Sequence, residues 1–260
     1  MLTTFSTLLA AAGRSPGVLS VHVPDDWLQG RSLFGGLQAA LAVETMRTLV
    51  PDVPLRVLQT TFVGPVGGGL VTVSARVLRA GKNVMHVEAR LGDDAVFIGI
   101  FGQNRPSVVG ITLEEPPRPS PTASPRTLPF IPGVTPNFTQ HYAATWRRGA
   151  TPFTATPSPD PYLELTVQDD GPFTEAHLIA LADFIPPIAL SYLRVPAPGS
   201  SVTWMLELLR YDFAAQPMSG WVIDGRLLAA KDGYTSQTVT VIAPDGTPAA
   251  LSRQSMLVFG

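Results

Sequence analysis

Hydrophobic and polar residues alternate along most of this chain, and the alternation gives way in places to solidly apolar stretches. Leu19 to Val23 alternates and predicts a strand, ended by Pro24-Asp25-Asp26. From Leu37 to Leu49 the period becomes helical, and Ala39, Ala40, Leu41, Ala42 and Val43 make that helix apolar almost all round. Such a helix is wrapped by other structure and not laid on a surface. Strands are predicted next at Val57–Val63, Val71–Arg79, Met85–Leu91 and Ala95–Phe101. In the second of these, Val71, Val73, Ala75 and Val77 face one way while Thr72, Ser74 and Arg76 face the other. Ala95 to Phe101 is apolar on both faces, as a central strand is.

Residues Arg105 to Pro136 are dense in proline, serine and threonine and read as a linker. Strand character resumes at Asn137–Arg147 and Tyr162–Gln168. Thr174 suits an N-cap for a short helix through Leu181, and a second apolar helix is expected from Pro186-Pro187 to about Leu193, since proline is favoured in a first turn. Four strands follow, at Val202–Arg210, Gly220–Ala229, Tyr234–Ile242 and Ala250–Phe259.

The second half therefore repeats the first. Gly36 and Asp183, at two matching helix starts, are 147 positions apart, and the same shift carries Phe62 onto Leu209 at a matching strand end. Lys82 and Lys231, the only two lysines, fall at equivalent hairpin turns 149 apart. A helix swaddled by an antiparallel sheet, written twice, is an α+β architecture. The expected division is 1–104, a linker over 105–136, and 137–260.

Composition narrows the function. With 260 residues, 45% hydrophobic and 15% charged, the chain buries a large core. A net charge of -2 offers no footprint for nucleic acid or an anionic membrane. The absence of cysteine removes disulfides and thiol nucleophiles. No apolar run is long enough to span a bilayer, and Met1-Leu2-Thr3-Thr4-Phe5 lacks a basic leader, so the cytoplasm is the expected compartment. His22, His86, His141 and His177 are scattered without metal-ligand spacing, so neither a metal nor a cofactor is expected. Gly30-Arg31-Ser32-Leu33-Phe34 misses the last glycine of a nucleophile elbow, which leaves Ser32 as a polar loop residue capping the next helix.

Asp183 is the sharpest candidate for chemistry. Ahead of Pro186-Pro187 it suits a helix cap as well as it suits a base. Gln254 shares a strand face with Met256 and Val258, where an apolar residue is expected; it is either a satisfied core amide or part of a site. Ser201 and Thr203 open the strand after the second helix, on one face in a regular strand, and also suit plain strand positions. Three such polar groups near one helix N-terminus suggest a place for activating water.

Gly30-Arg31-Ser32-Leu33-Phe34-Gly35-Gly36 before an Ala-rich helix, then Phe62-Val63-Gly64-Pro65, then Val77-Leu78-Arg79-Ala80-Gly81-Lys82, resembles the double hotdog acyl-CoA thioesterases, above all acyl-CoA thioesterase II. The second half agrees, with Leu181-Ala182-Asp183-Phe184-Ile185-Pro186-Pro187 before its helix and a glutamine in the last strand. The resemblance implies two tandem hotdog repeats and hydrolysis of an acyl-CoA thioester by water. It implies that Asp183, Ser201 (or Thr203) and Gln254 bind and activate that water, with Asp183 as base. Phe34, Gly35, Gly36, Phe184 and Ile185 become candidate substrate-binding segments that offer backbone N–H groups to the carbonyl oxygen. Gln59 stands where thioesterase II has a histidine, a departure that bears on substrate choice. The acyl chain is expected in an apolar tunnel beside the helices, and a homodimer of double hotdogs is the expected assembly. Two rivals remain at this point: a silent acyl- or ligand-binding module, and a hotdog dehydratase acting on 3-hydroxyacyl thioesters.

Overall fold

The computed structural model describes residues 2–113, 125–156 and 160–259. Helix α1 (Phe5–Ala10) and strand β1 (Gly13–Ser15) lead into β2 (Val18–Val23). The two-residue strands β3 (Leu28–Gln29) and β4 (Ser32–Leu33) precede helix α2 (Gly35–Arg47), and β5 (Leu55–Phe62), β6 (Gly69–Ala80), β7 (Val84–Leu91) and β8 (Ala95–Gly102) follow. The second half holds β9 (Arg126–Leu128), β10 (Tyr142–Arg148), β11 (Tyr162–Val167) and helix α3 (Glu175–Ala182). It ends with β12 (Gly199–Leu208), β13 (Trp221–Lys231), β14 (Tyr234–Ile242) and β15 (Pro248–Val258). No helix among the described residues is long and apolar enough to cross a membrane.

Thirteen strands form one sheet in the order β1-β2-β6-β7-β8-β5-β12-β15-β14-β13-β11-β10-β9. Outward from the β5–β12 seam the two sides match: β8, β7, β6 and β2 on one, β15, β14, β13 and β11 on the other. The duplicated α+β reading is therefore correct, and the fold is a double hotdog. At the seam Thr61 pairs with Thr203 and Leu58 with Leu206, antiparallel. Of the expected linker, 114–124 lies outside the described residues, while Arg126–Leu128 adds an edge strand to β10.

Helix α2 is buried over Gly36–Val43 and at Thr45 and Met46, as its all-round apolar pattern requires. It packs on β2, β6, β7 and β8, with α3 beside it. Its two buried polar side chains bond to nearby backbone: Gln38 Nε2 donates to Leu33 O and Thr45 Oγ1 to Leu41 O, while Gln38 Oε1 has no partner among the described residues.

The second helix differs from expectation. Thr174 does cap α3, but the stretch from Pro186 onward forms only a short 3-10 turn at Ile188–Tyr192. Pro186 and Pro187 lack N–H donors and push the residues before them out of helical backbone, so they end helical structure where a start was expected. Asp183 consequently sits at the C-cap of α3 and not ahead of a second helix.

Helices α2 and α3 run antiparallel and are fastened at both ends. At one end Arg47 grips Glu175 with two hydrogen bonds, 2.9 and 2.8 Å. At the other, the first turn of α2 meets Ala180 and Asp183 at the close of α3. That second junction is where the site lies.

Candidate active site

Gly35 and Gly36 are bare for a steric reason. A Cβ on Gly36 would lie 2.5 Å from Ala180 O, and one on Gly35 would lie 2.7 Å from Asp183 Oδ2. A side chain on Gly36 would force the helices apart, and one on Gly35 would displace the carboxylate. The ladder of α2 begins with Gln38 N–H donating to Phe34 O, so the earlier N–H groups lie outside it. The Phe34 N–H goes to Trp27 O, at 3.0 Å, and the Gly36 N–H donates to the Asp183 carboxylate.

Asp183 is buried, and apolar rings surround its junction. Phe34 stacks on Phe138 with centroids 3.9 Å apart, and Phe184 meets both Phe138 and Tyr142 edge-on. Burial pushes the Asp183 carboxyl up to about 7, against the opposing pull of hydrogen bonds from Gln254 and the Gly36 N–H. Tyr142 feels the same surroundings: burial drives its phenol well above the usual range, and the charges of Asp183 and Asp169 add to that.

Gln254 comes to Asp183 from the inner face of β15, where alternate residues Ser252, Gln254, Met256 and Val258 are buried. Its Nε2 donates to Asp183 Oδ1. Its Oε1 accepts from Gln237 Nε2 at 3.1 Å, and Gln237 Oε1 accepts from the Ile188 N–H at 2.9 Å. Gln237 was not singled out in the sequence. The signal was there, since the buried positions of β14 alternate as Thr235, Gln237, Val239 and Val241, with one long amide among valines. Its partner is Gln254, directly opposite across β14 and β15.

The remaining candidates divide by face. Ser201 pairs with Met256 and so shares the inner face with Gln254, half-buried. The expectation that Thr203 lies on that face is wrong. A bulge between Ser201 and Thr203 inserts one residue, and Thr203 pairs with Ser255 on the outer face, exposed. Gln59 is also outside: it pairs with Met205 and lines an outer-face groove of about 310 Å³ with Thr61, Thr203 and Arg253. It therefore does not face Asp183. Phe184 is near the carboxylate, but its N–H is taken by Leu181 O at 3.0 Å and is not free for a ligand. Ile185 forms one wall of a small, mostly apolar pocket with Trp146, Pro186, Pro187 and Ile188. That pocket holds about 10 Å³, roughly the room of one water.

Among the described residues no group of three or more His, Cys, Asp or Glu gathers to hold a metal. The one histidine on α3, His177, is bound to Asp169 and Thr174 near the start of the helix, at the opposite end from Asp183. What the site contains is a buried carboxyl with a midpoint near neutrality, two donors holding it, and an adjacent helix start with uncommitted N–H groups. Such a site can take a proton from water and stabilise a developing oxyanion.

Comparison with known proteins agrees in kind. A family model for the acyl-CoA thioesterase N-terminal domain matches residues 23–111, and one for the acyl-CoA thioesterase C-terminal domain matches 115–258. A hot dog fold protein of unknown function from Alicyclobacillus acidocaldarius superposes with a TM-score of 0.84 at 20% identity, covering 100% of this chain and 99% of that one. The tesB protein of Mycobacterium avium subs paratuberculosis gives 0.74 at 13% identity, covering 99% and 100%. Acyl-CoA thioesterase II TesB2 of Mycobacterium marinum gives 0.65 at 13%, covering 95% and 94%. No curated protein matches by sequence.

Proposed function

This chain belongs to the acyl-CoA thioesterase family and is a thioester hydrolase, and we propose that it acts on acyl-CoA with Asp183 as the base. One observation carries the assignment: the buried Asp183 carboxyl, with its midpoint raised to about 7, lies at the open start of α2 in the grip of Gln254 and Gly36. A base poised near neutrality both exists in its ionised form and binds a proton well.

In this reading Asp183 takes a proton from water as the water oxygen bonds to the thioester carbonyl carbon. The carbonyl oxygen gains charge and is met by the Gly35 and Leu37 N–H groups, helped by the α2 dipole. The C–S bond then breaks, the electron pair leaves with sulfur, and the proton held by Asp183 passes to the thiolate. The products are a carboxylic acid and CoA. Ser201, on the same face as Gln254, helps to hold the water. The acyl chain takes the direction of the Ile185–Ile188 pocket. A cytoplasmic location and a homodimer of double hotdogs are parts of the same proposal; cell fractionation tests the first and sedimentation mass the second.

The experiment is release of free thiol across a panel of acyl-CoAs, wild type against Asp183→Ala. The expected result is turnover by the wild type and a fall of about 10³-fold in the variant. Tight acyl-CoA binding by a wild type that releases no thiol would instead mark a binding module.

A further inference from the structure

Gln237 is fully buried, touches no atom of the proposed reaction and still lies in line with it. We propose that Gln237 is a positioning residue: it fixes which end of the Gln254 side-chain amide faces Asp183.

The reasoning starts from the one group in the chain of bonds that has no choice. A backbone N–H can only donate, so the Ile188 N–H, 2.9 Å away, obliges Gln237 to turn its oxygen toward it. The Gln237 nitrogen must then face Gln254, at 3.1 Å, and Gln254 must answer with its own oxygen. That leaves the Gln254 nitrogen, a donor, against Asp183 Oδ1. Each amide has two ends of nearly equal shape, and the polarity of the whole series is set at Ile188. The series begins in the wall of the apolar pocket and ends on the base.

Without Gln237 the Gln254 amide is free to flip. Its oxygen would then oppose the Asp183 oxygen, an arrangement tolerable only if Asp183 is protonated. The ionisable group coupled to Asp183 is Tyr142, from β10, and it stays neutral through the range concerned. Gln237 thus keeps the carboxyl available as a base near neutral pH. The inference rests on Asp183 being that base, but its direct test does not need turnover.

In the wild type, ¹³C NMR follows the Asp183 carboxyl through a pH titration while ¹⁵N NMR follows the side-chain amides of Gln254 and Gln237. Both amides are expected to move with the Asp183 midpoint, Gln237 less than Gln254. A Gln237 signal that stays still through that midpoint overturns the inference, whether or not the protein hydrolyses acyl-CoA. In Gln237→Met, which keeps the volume and loses both bonds, the Asp183 midpoint is expected to rise by about one unit. At pH 7 that lowers kcat by about fivefold while KM is little changed. Gln237→Asn, with an amide too short to bridge, is expected to behave in the same way and serves if Gln237→Met does not fold. A folded variant of either kind with the wild-type midpoint and pH profile shows that Gln237 only fills space.

Discussion

Gln254 and Asp183 lie 71 positions apart in the sequence and share one hydrogen bond, from side-chain nitrogen to carboxylate oxygen. The bond joins the last strand of the chain to the end of α3, and it opposes the burial that raises the carboxyl. A carboxyl so placed is costly to ionise and, for the same reason, avid for a proton. Stability and activity should therefore respond to pH in opposite directions.

That opposition is measurable with Asp183→Asn. The folded midpoint, about 7, lies above the ordinary 3.8, so folding favours the protonated form. The stabilisation is complete below about pH 4 and is lost as pH climbs through 7. The asparagine variant has no charge to bury, so its stability relative to wild type should rise between pH 4 and 7 and then level off. The gain is on the order of a few kcal/mol, reduced by the new amide donor facing the Gly36 N–H. Urea unfolding at a series of pH values checks this; a difference that does not change with pH would remove the buried charge from the account. Over the same range wild-type kcat/KM should rise with pH along a limb near 7.

Gly35 and Gly36 should fail differently. Gly36→Ala drives a Cβ against the backbone oxygen of Ala180, which cannot swing aside, and should cost about 2–3 kcal/mol of stability. In Gly35→Ala the Cβ meets the Asp183 side chain, which can move, so the loss should appear chiefly in kcat. Thermal melts and thiol-release rates on the two variants separate the effects. Equal loss of stability in both would contradict the geometry.

Ser201 and Thr203 give a test of faces. Ser201→Ala removes an inner-face hydroxyl and should lower kcat by about tenfold or more if it holds the water. Thr203→Val changes an exposed outer-face residue and should leave kcat within about twofold. The reverse order of effects would mean that the bulge between them does not set the faces in solution.

Much of this fold could be read from the chain because antiparallel strands bounded by glycine turns announce themselves. Tyr234–Ile242 was placed to the residue, and the all-round apolar run after Gly36 correctly marked a helix wrapped by sheet. The junction around Asp183 was harder. A proline pair both starts and stops helices, and only packing decided that α3 lies before Pro186 and not after it. The bulge at Val202 has no mark in the sequence, yet it reverses the face of everything beyond it, which is why Thr203 was misplaced. The face of Gln59 could not be read because its strand offers a polar residue at each of three successive positions, Gln59, Thr60 and Thr61, and only Thr60 faces inward. Gln254 was legible as an amide where an apolar residue would otherwise pack, whereas Asp183 drew notice from its place ahead of Pro186-Pro187 and from the resemblance.

The β5–β12 seam has one more consequence. Two identical chains meeting about a twofold axis must carry every residue in duplicate, so a carboxylate on one central helix would come with its twin on the other. A single polypeptide is free of that rule, and here one helix end bears Asp183 while the other offers the bare backbone of Gly35 and Gly36. The two sides of the site also cannot be diluted apart, since their encounter is intramolecular. Activity per chain should hold constant however little of the protein is present, with neither half waiting for a partner.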